Sequence, residues 1–153
     1  MDVSAKFGGS QKAAFESNSA AETAEIAARF AAILPKDCFV ALSGDLGAGK
    51  TAFVKGLAAA LGVKETVKSP SFNIYSVYKT SDGRKFVHLD AYRLSSAASF
   101  DDLLLDEIAP SPRILCVEWP ENVEKSVPED AVRLKFTSRG ENSRLIELSN
   151  LPL

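Results

Sequence analysis

Apolar residues at Ile26, Phe30, Ile33 and Leu34 recur at i, i+4, i+7 and i+8, the spacing of one helix face. They follow Ser19-Ala20-Ala21-Glu22, which has the form of a capping box: the serine oxygen and the glutamate carboxylate satisfy free amides at a helix start. Pro35 closes that helix. The continuous apolar run from Cys38 to Ser43 predicts a buried strand. Val54, Leu57, Ala58 and Leu61 then share one face, predicting a second helix over Lys50 to Leu61 that Gly62 ends. Two strand-like runs, Phe72 to Lys79 and Lys85 to Asp90, flank a turn containing Asp82-Gly83 and read as a hairpin. A short helix is expected over Ala97 to Leu105, and a loop at Pro110 and Pro112. Ile114 to Glu118 predicts a short buried strand ending in an acid, and Ala131 to Phe136 with Arg144 to Ser149 a final strand pair. Lys12 to Glu16 reads as a short edge strand, and residues 1–11 as a loose tail. Alternating strands and helices with antiparallel additions predict a three-layer α/β domain, its sheet mixed but mainly parallel.

Composition narrows the partners more than the fold. The chain of 153 residues fits a single domain, and 46% apolar with 25% charged residues is the globular norm. Eighteen basic against 20 acidic side chains leave a net charge of -2. A protein that grips a nucleic-acid backbone by itself is usually basic, so any role on RNA requires a partner or a local patch. No apolar run approaches the ~18 residues of a membrane span. Met1 to Gln11 lacks the apolar segment of a secretory signal, so a cytoplasmic setting is expected. Cys38 and Cys116 lie in strand-like runs without a Cys-x-x-Cys spacing and read as buried thiols. His88 is the only histidine, which excludes any site that needs two.

The chemistry is concentrated in residues 44–51, Gly-Asp-Leu-Gly-Ala-Gly-Lys-Thr, which satisfy G-x-x-x-x-G-K-[ST] between an apolar strand and an amphipathic helix. Glycines let such a loop turn and bring amide N–H groups around phosphate oxygens. The helix aims its positive end at the same anion. Gly44, Asp45, Leu46, Gly47, Ala48, Gly49, Lys50 and Thr51 therefore form the expected nucleotide cradle, with Lys50 as a charge on the terminal phosphates and the Thr51 hydroxyl as a Mg²⁺ ligand.

With these residues in place the chain resembles the TsaE (YjeE) family, bacterial P-loop ATPases of tRNA threonylcarbamoyladenosine synthesis. The resemblance runs from about Ser19 to Leu148. It rests on the P-loop together with Ser69-Pro70-Ser71-Phe72, His88-Leu89-Asp90-Ala91-Tyr92-Arg93-Leu94 and Val117-Glu118-Trp119-Pro120-Glu121. It implies a P-loop NTPase-like fold, ATP and Mg²⁺ as ligands, and ATP hydrolysis within an assembly containing TsaB and TsaD, with tRNA reached only through that assembly.

Around the cradle, Glu118 at its strand end is expected to reach Mg²⁺ and polarise the attacking water. Asp90 also ends an apolar strand and competes for that acidic role; if the two strands are parallel neighbours, both acids line the site. The expected catalytic set is Lys50, Asp90 and Glu118. His88 shares a strand face with Asp90 and has two readings: it orients a carboxylate, or it is a half-buried structural side chain. Ser71 lies in a loop placed like a switch segment, with a hydroxyl for phosphate or metal where the family usually has threonine. Arg93 serves either a transferred phosphoryl group or a surface ion pair. Trp119 is expected to line the site or face a partner, and Arg144 to lie near the base. The rival functions fit less well. A small-molecule kinase needs an arginine-bearing lid, and only Arg113 lies between Leu94 and Glu118. A GTP-dependent switch needs Asn-Lys-x-Asp, which is missing from the sequence. A scaffold that merely holds ATP leaves Asp90 and Glu118 unexplained.

Overall fold

A computed structural model describes residues 12–45, 49–70 and 74–151. The expected tail over 1–11, the P-loop residues Leu46, Gly47 and Ala48, and Ser71 lie outside the described residues.

Seven strands form one sheet: β1 (Ala13–Ser17), β2 (Cys38–Gly44), β3 (Tyr75–Lys79), β4 (Lys85–Asp90), β5 (Arg113–Glu118), β6 (Val132–Ser138) and β7 (Arg144–Ser149). Their order is β1-β7-β6-β2-β5-β4-β3. The central strands β6, β2, β5 and β4 run parallel. The β3–β4 hairpin adds an antiparallel edge on one side, and β7 with β1 does so on the other. This is the expected mixed sheet with a parallel centre.

Helices α1 (Ala20–Ala31) and α2 (Lys50–Ala60) cover one face. The capping box is present at α1: Glu22 N–H donates to Ser19 Oγ at 3.0 Å, and Asn18 N–H donates to a Glu22 carboxylate oxygen at 2.7 Å. The two helices approach closely at Gly56, where a Cβ would lie 2.7 Å from Ala24 Cα. Between these helices and the sheet, Ile26, Phe30, Phe53, Val54 and Leu57 pack on Ile114, Cys116 and Phe136. On the opposite face, Val87, Leu89, Leu115 and Val117 pack under Leu94, Leu105 and Val123. Alternation along β5 thus feeds two cores, the physical basis of the three layers.

The single helix expected over Ala97 to Leu105 is two short ones, α3 (Ala97–Asp101) and α4 (Leu105–Ile108). Leu104 breaks them with φ of 55°, a left-handed conformation that interrupts the helical hydrogen bonds. Two 3₁₀ turns, Ala91–Arg93 and Pro120–Ser126, complete the second face. Cys116 is buried as expected, whereas Cys38 is only half-buried. Among the described residues, no helix is long and apolar enough to cross a membrane.

Candidate nucleotide site

Three of the parallel strands end side by side. Gly44 closes β2, Glu118 closes β5, and Asp90 closes β4 opposite Glu118 in the β4–β5 register. In open parallel sheets the crevice beyond the carboxyl ends of the strands is where ligands bind. The condition set by the sequence for both acids to line one site is therefore met.

The helix that follows β2 is suited to an anion. The N-cap of α2 is Gly49, which has φ of 99° and can offer no capping side chain, and the first turn of the helix contains no acid. Among the described residues, no side chain caps the amides at this end and no acid in the first turn offsets the dipole. Gly44 is constrained differently. It pairs with Phe136 of β6, and a Cβ there would lie 2.3 Å from the Phe136 carbonyl oxygen. The first glycine of the motif is demanded by the sheet as well as by the loop.

Lys50 is 5% exposed, although it carries a charge. Its Nζ donates to the Gly44 carbonyl at 2.6 Å and lies 4.4 Å from the centroid of the Trp119 ring. Among the described residues no carboxylate pairs with it. A carbonyl and an aromatic face hold the ammonium without neutralising it. Trp119 adopts φ of 58°, the turn that swings its ring over Lys50 as β5 ends. Tyr92 packs edge-on against that ring, with centroids 5.0 Å apart. Trp119, which the sequence left as lining the site or facing a partner, is half-buried over Lys50, and the exposed Tyr92 beside it was not foreseen. Thr51 Oγ1 lies 3.2 Å from Ser69 Oγ, so a second hydroxyl from the Ser69-Pro70 segment joins it.

The acids differ in what surrounds them. Glu118 is 6% exposed and receives His88 Nε2 at 2.5 Å, so it is not a solvated strand-end group. His88 is wholly buried rather than half-buried, and the carboxylate it meets is Glu118. Asp90 caps the following 3₁₀ turn, accepting from Tyr92 N–H at 3.0 Å. Asn122 ties that turn to the next by donating to the Ala91 and Tyr92 carbonyls. Arg93 is exposed on the turn. Arg144 opens β7 and reaches across to the P-loop: its side chain packs on Gly49, and its guanidinium donates to Thr23 of α1 at 3.0 Å.

The family model for the threonylcarbamoyl adenosine biosynthesis protein TsaE matches residues 17–146. The chain belongs to the TsaE family. Among curated TsaE proteins, it is 42% identical to that of Streptomyces coelicolor over 114 residues, covering 73% of this chain and 76% of the relative. It is 36% identical to that of Treponema pallidum over 134 residues, covering 87% and 97%. Its backbone matches a crystal structure of Bacillus subtilis YdiB with a TM-score of 0.76 at 30% identity, over 94% of this chain and 88% of that one. TsaE membership brings with it a place in tRNA threonylcarbamoyladenosine biosynthesis and a P-loop NTPase-like fold.

Proposed function

We propose that this chain binds ATP with Mg²⁺ at the ends of β2, β4 and β5, and hydrolyses it as the nucleotide-driven subunit of a cytoplasmic assembly with TsaB and TsaD. The observation that carries this reading is Lys50: a buried ammonium with no acid among the described residues, at the uncapped head of α2. Such a cation is available to phosphate, whereas one already paired with a carboxylate is not.

The donor set also fits Mg²⁺. Among the described residues, no cluster of three or more histidine, cysteine or acidic side chains could hold a metal alone. Mg²⁺ in phosphoryl-transfer sites needs no such cage, since one or two protein oxygens complete a shell supplied by phosphates and water. The Thr51 hydroxyl and Glu118 are those protein oxygens. The ion, when bound, offsets charge on the phosphates.

The chain's own groups account for the rest. Lys50 leaves the Gly44 carbonyl for phosphate oxygens and the α2 amides cradle the anion. Glu118 orients a water toward the terminal phosphorus, and Asp90 holds the Ala91–Arg93 turn at the mouth of the site. No basic face is needed, because tRNA is reached through the partners.

The test is phosphate release and tRNA modification, followed together after reconstitution with TsaB and TsaD. In Glu118→Gln the hydrolysis rate should fall ~10²–10⁴-fold. Its ATP affinity should change by less than about tenfold, since the lost interaction belongs mainly to the transition state. Near-normal hydrolysis would transfer the role to Asp90.

A further inference from the structure

His88 lies on β4, opposite Cys116 in the β4–β5 register, so its side chain shares the sheet face of α2 and the P-loop. Glu118 is two residues beyond Cys116 on the same face. His88 Nε2 and Glu118 Oε2 lie 2.5 Å apart, within hydrogen-bonding reach. The other ring nitrogen, Nδ1, is buried, and no group among the described residues bonds to it.

Two states of Glu118 satisfy that contact. With Glu118 ionised, its oxygens can only accept, so Nε2 carries the hydrogen, whether the ring is neutral with a bare Nδ1 or an imidazolium with a second hydrogen there. With Glu118 protonated, the carboxyl donates to Nε2 and the ring hydrogen is stranded on Nδ1. Orphaned buried donors are rarer than under-satisfied acceptors. The second arrangement also forgoes the stronger bond, the one to an anion.

The geometry points to His88 as a positioning residue: its Nε2–H pins Oε2 of an ionised Glu118 and leaves the other carboxylate oxygen for the cation or water of the nucleotide site. Asp90 is engaged differently: its oxygen accepts from the backbone N–H of Tyr92 at the head of the next turn, not from a buried side chain. The sheet thus divides the labour between its two strand-end acids, one shaping a turn and one held ready. The inference rests on the Mg²⁺–nucleotide reading for what Glu118 reaches, but not for the bond itself.

Two measurements decide it. Mg²⁺ is titrated into the intact chain loaded with a non-hydrolysable ATP analogue, for the unaltered protein, His88→Leu and His88→Gln. Removing an outer partner of a metal-binding group typically costs 10–100-fold in affinity. His88→Leu should therefore lose on the order of 10-fold in Mg²⁺ affinity while its analogue affinity without Mg²⁺ is unchanged. His88→Gln restores a side-chain N–H and should recover most of the loss. Unchanged Mg²⁺ affinity in His88→Leu, or no recovery in His88→Gln, overturns the assignment. The second measurement needs no nucleotide. Because His88 is the only histidine, ¹⁵N-histidine NMR of the unaltered chain reads one ring without assignment. The proton is expected on Nε2, with both ring resonances moving in Glu118→Ala. A proton on Nδ1 alone overturns the pair. Should the unaltered chain bind no Mg²⁺–nucleotide, the ATPase reading fails, and the NMR result still decides the His88–Glu118 bond.

Discussion

Replacing Lys50 separates charge from packing. Its stem is buried, so Lys50→Ala removes packed methylenes along with the ammonium, whereas Lys50→Met keeps an unbranched chain in the same path. In the folded chain the ammonium gains a bond to the Gly44 carbonyl, about 1.5–3 kcal/mol for a charged donor. It also gains a desolvated contact with the Trp119 ring, about 2 kcal/mol. Against these stands the desolvation of a buried ion, itself several kcal/mol. The terms nearly cancel, so Lys50→Met should melt close to the unaltered protein. Lys50→Ala should lose about 2 kcal/mol or more, the lower end for truncating a long buried side chain. ATP affinity should not distinguish the two. Both lose a charge-assisted phosphate contact of ~1.5–3 kcal/mol, on the order of 10–100-fold in Kd. Calorimetric titration with ATP and a thermal melt of each variant give the four numbers. Unchanged ATP affinity in Lys50→Met would refute the assignment of Lys50 to phosphate, and a large melting loss in Lys50→Met would refute the cancellation.

Other expectations are independent of that one. ATP should stabilise the chain against melting more than equimolar GTP, since the sequence has no guanine-reading motif; equal or greater stabilisation by GTP would count against the family reading of the ligand. Gly56→Ala should destabilise by about 1–3 kcal/mol through overpacking, because the new methyl meets the α1 backbone at Ala24; a melting point at or above that of the parent would show that the helices can part freely. Burial, helped by Asp37, pushes the Cys38 thiol up to about 12, and burial pushes Cys116 well above its ordinary value. Both should resist alkylation at pH 8 until the chain unfolds. These raised values favour the fold below the unfolded thiol pKa of ~8.5, and the contribution is lost as pH rises from there toward the folded values. Thermal midpoints in Cys38→Ala should accordingly decline less steeply above pH 9 than in the parent.

Local signals carried most of the elements. Ser19 and Glu22 marked the start of α1, the apolar face beginning at Val54 marked α2, and Asp82-Gly83 marked the β3–β4 turn, where Gly83 has φ of 89°. The break at Leu104 left no mark, because leucine is a helix former and its residue type does not announce a left-handed backbone. The Pro120–Ser126 turn was missed for lack of a period long enough to read. At the site, residue types announced Lys50, Thr51 and Glu118. What the sequence could not state was depth. A two-residue period placed His88 beside Asp90, but its complete burial and its choice of Glu118 follow from β5 lying next to β4. Arg144 reaches Gly49 only because β7 folds back on β6, a pairing that Arg144 itself does not encode.

The place of β2 in the sheet bears on how the chain is made. Both neighbours of β2, the strands β5 and β6, come later in the sequence, and the nearer begins at Arg113. During synthesis the apolar segment Cys38-Phe39-Val40-Ala41-Leu42 emerges from the ribosome with both backbone edges unpaired. It stays so until some 70 further residues have been added for one side and about 90 for the other, by the strand boundaries. Long-range parallel pairings of this kind form slowly and leave strand edges open to other chains in the meantime. The strand that carries the phosphate loop is thus open to misassociation on the nascent chain, and a truncation before β6 would leave it with a permanently open edge.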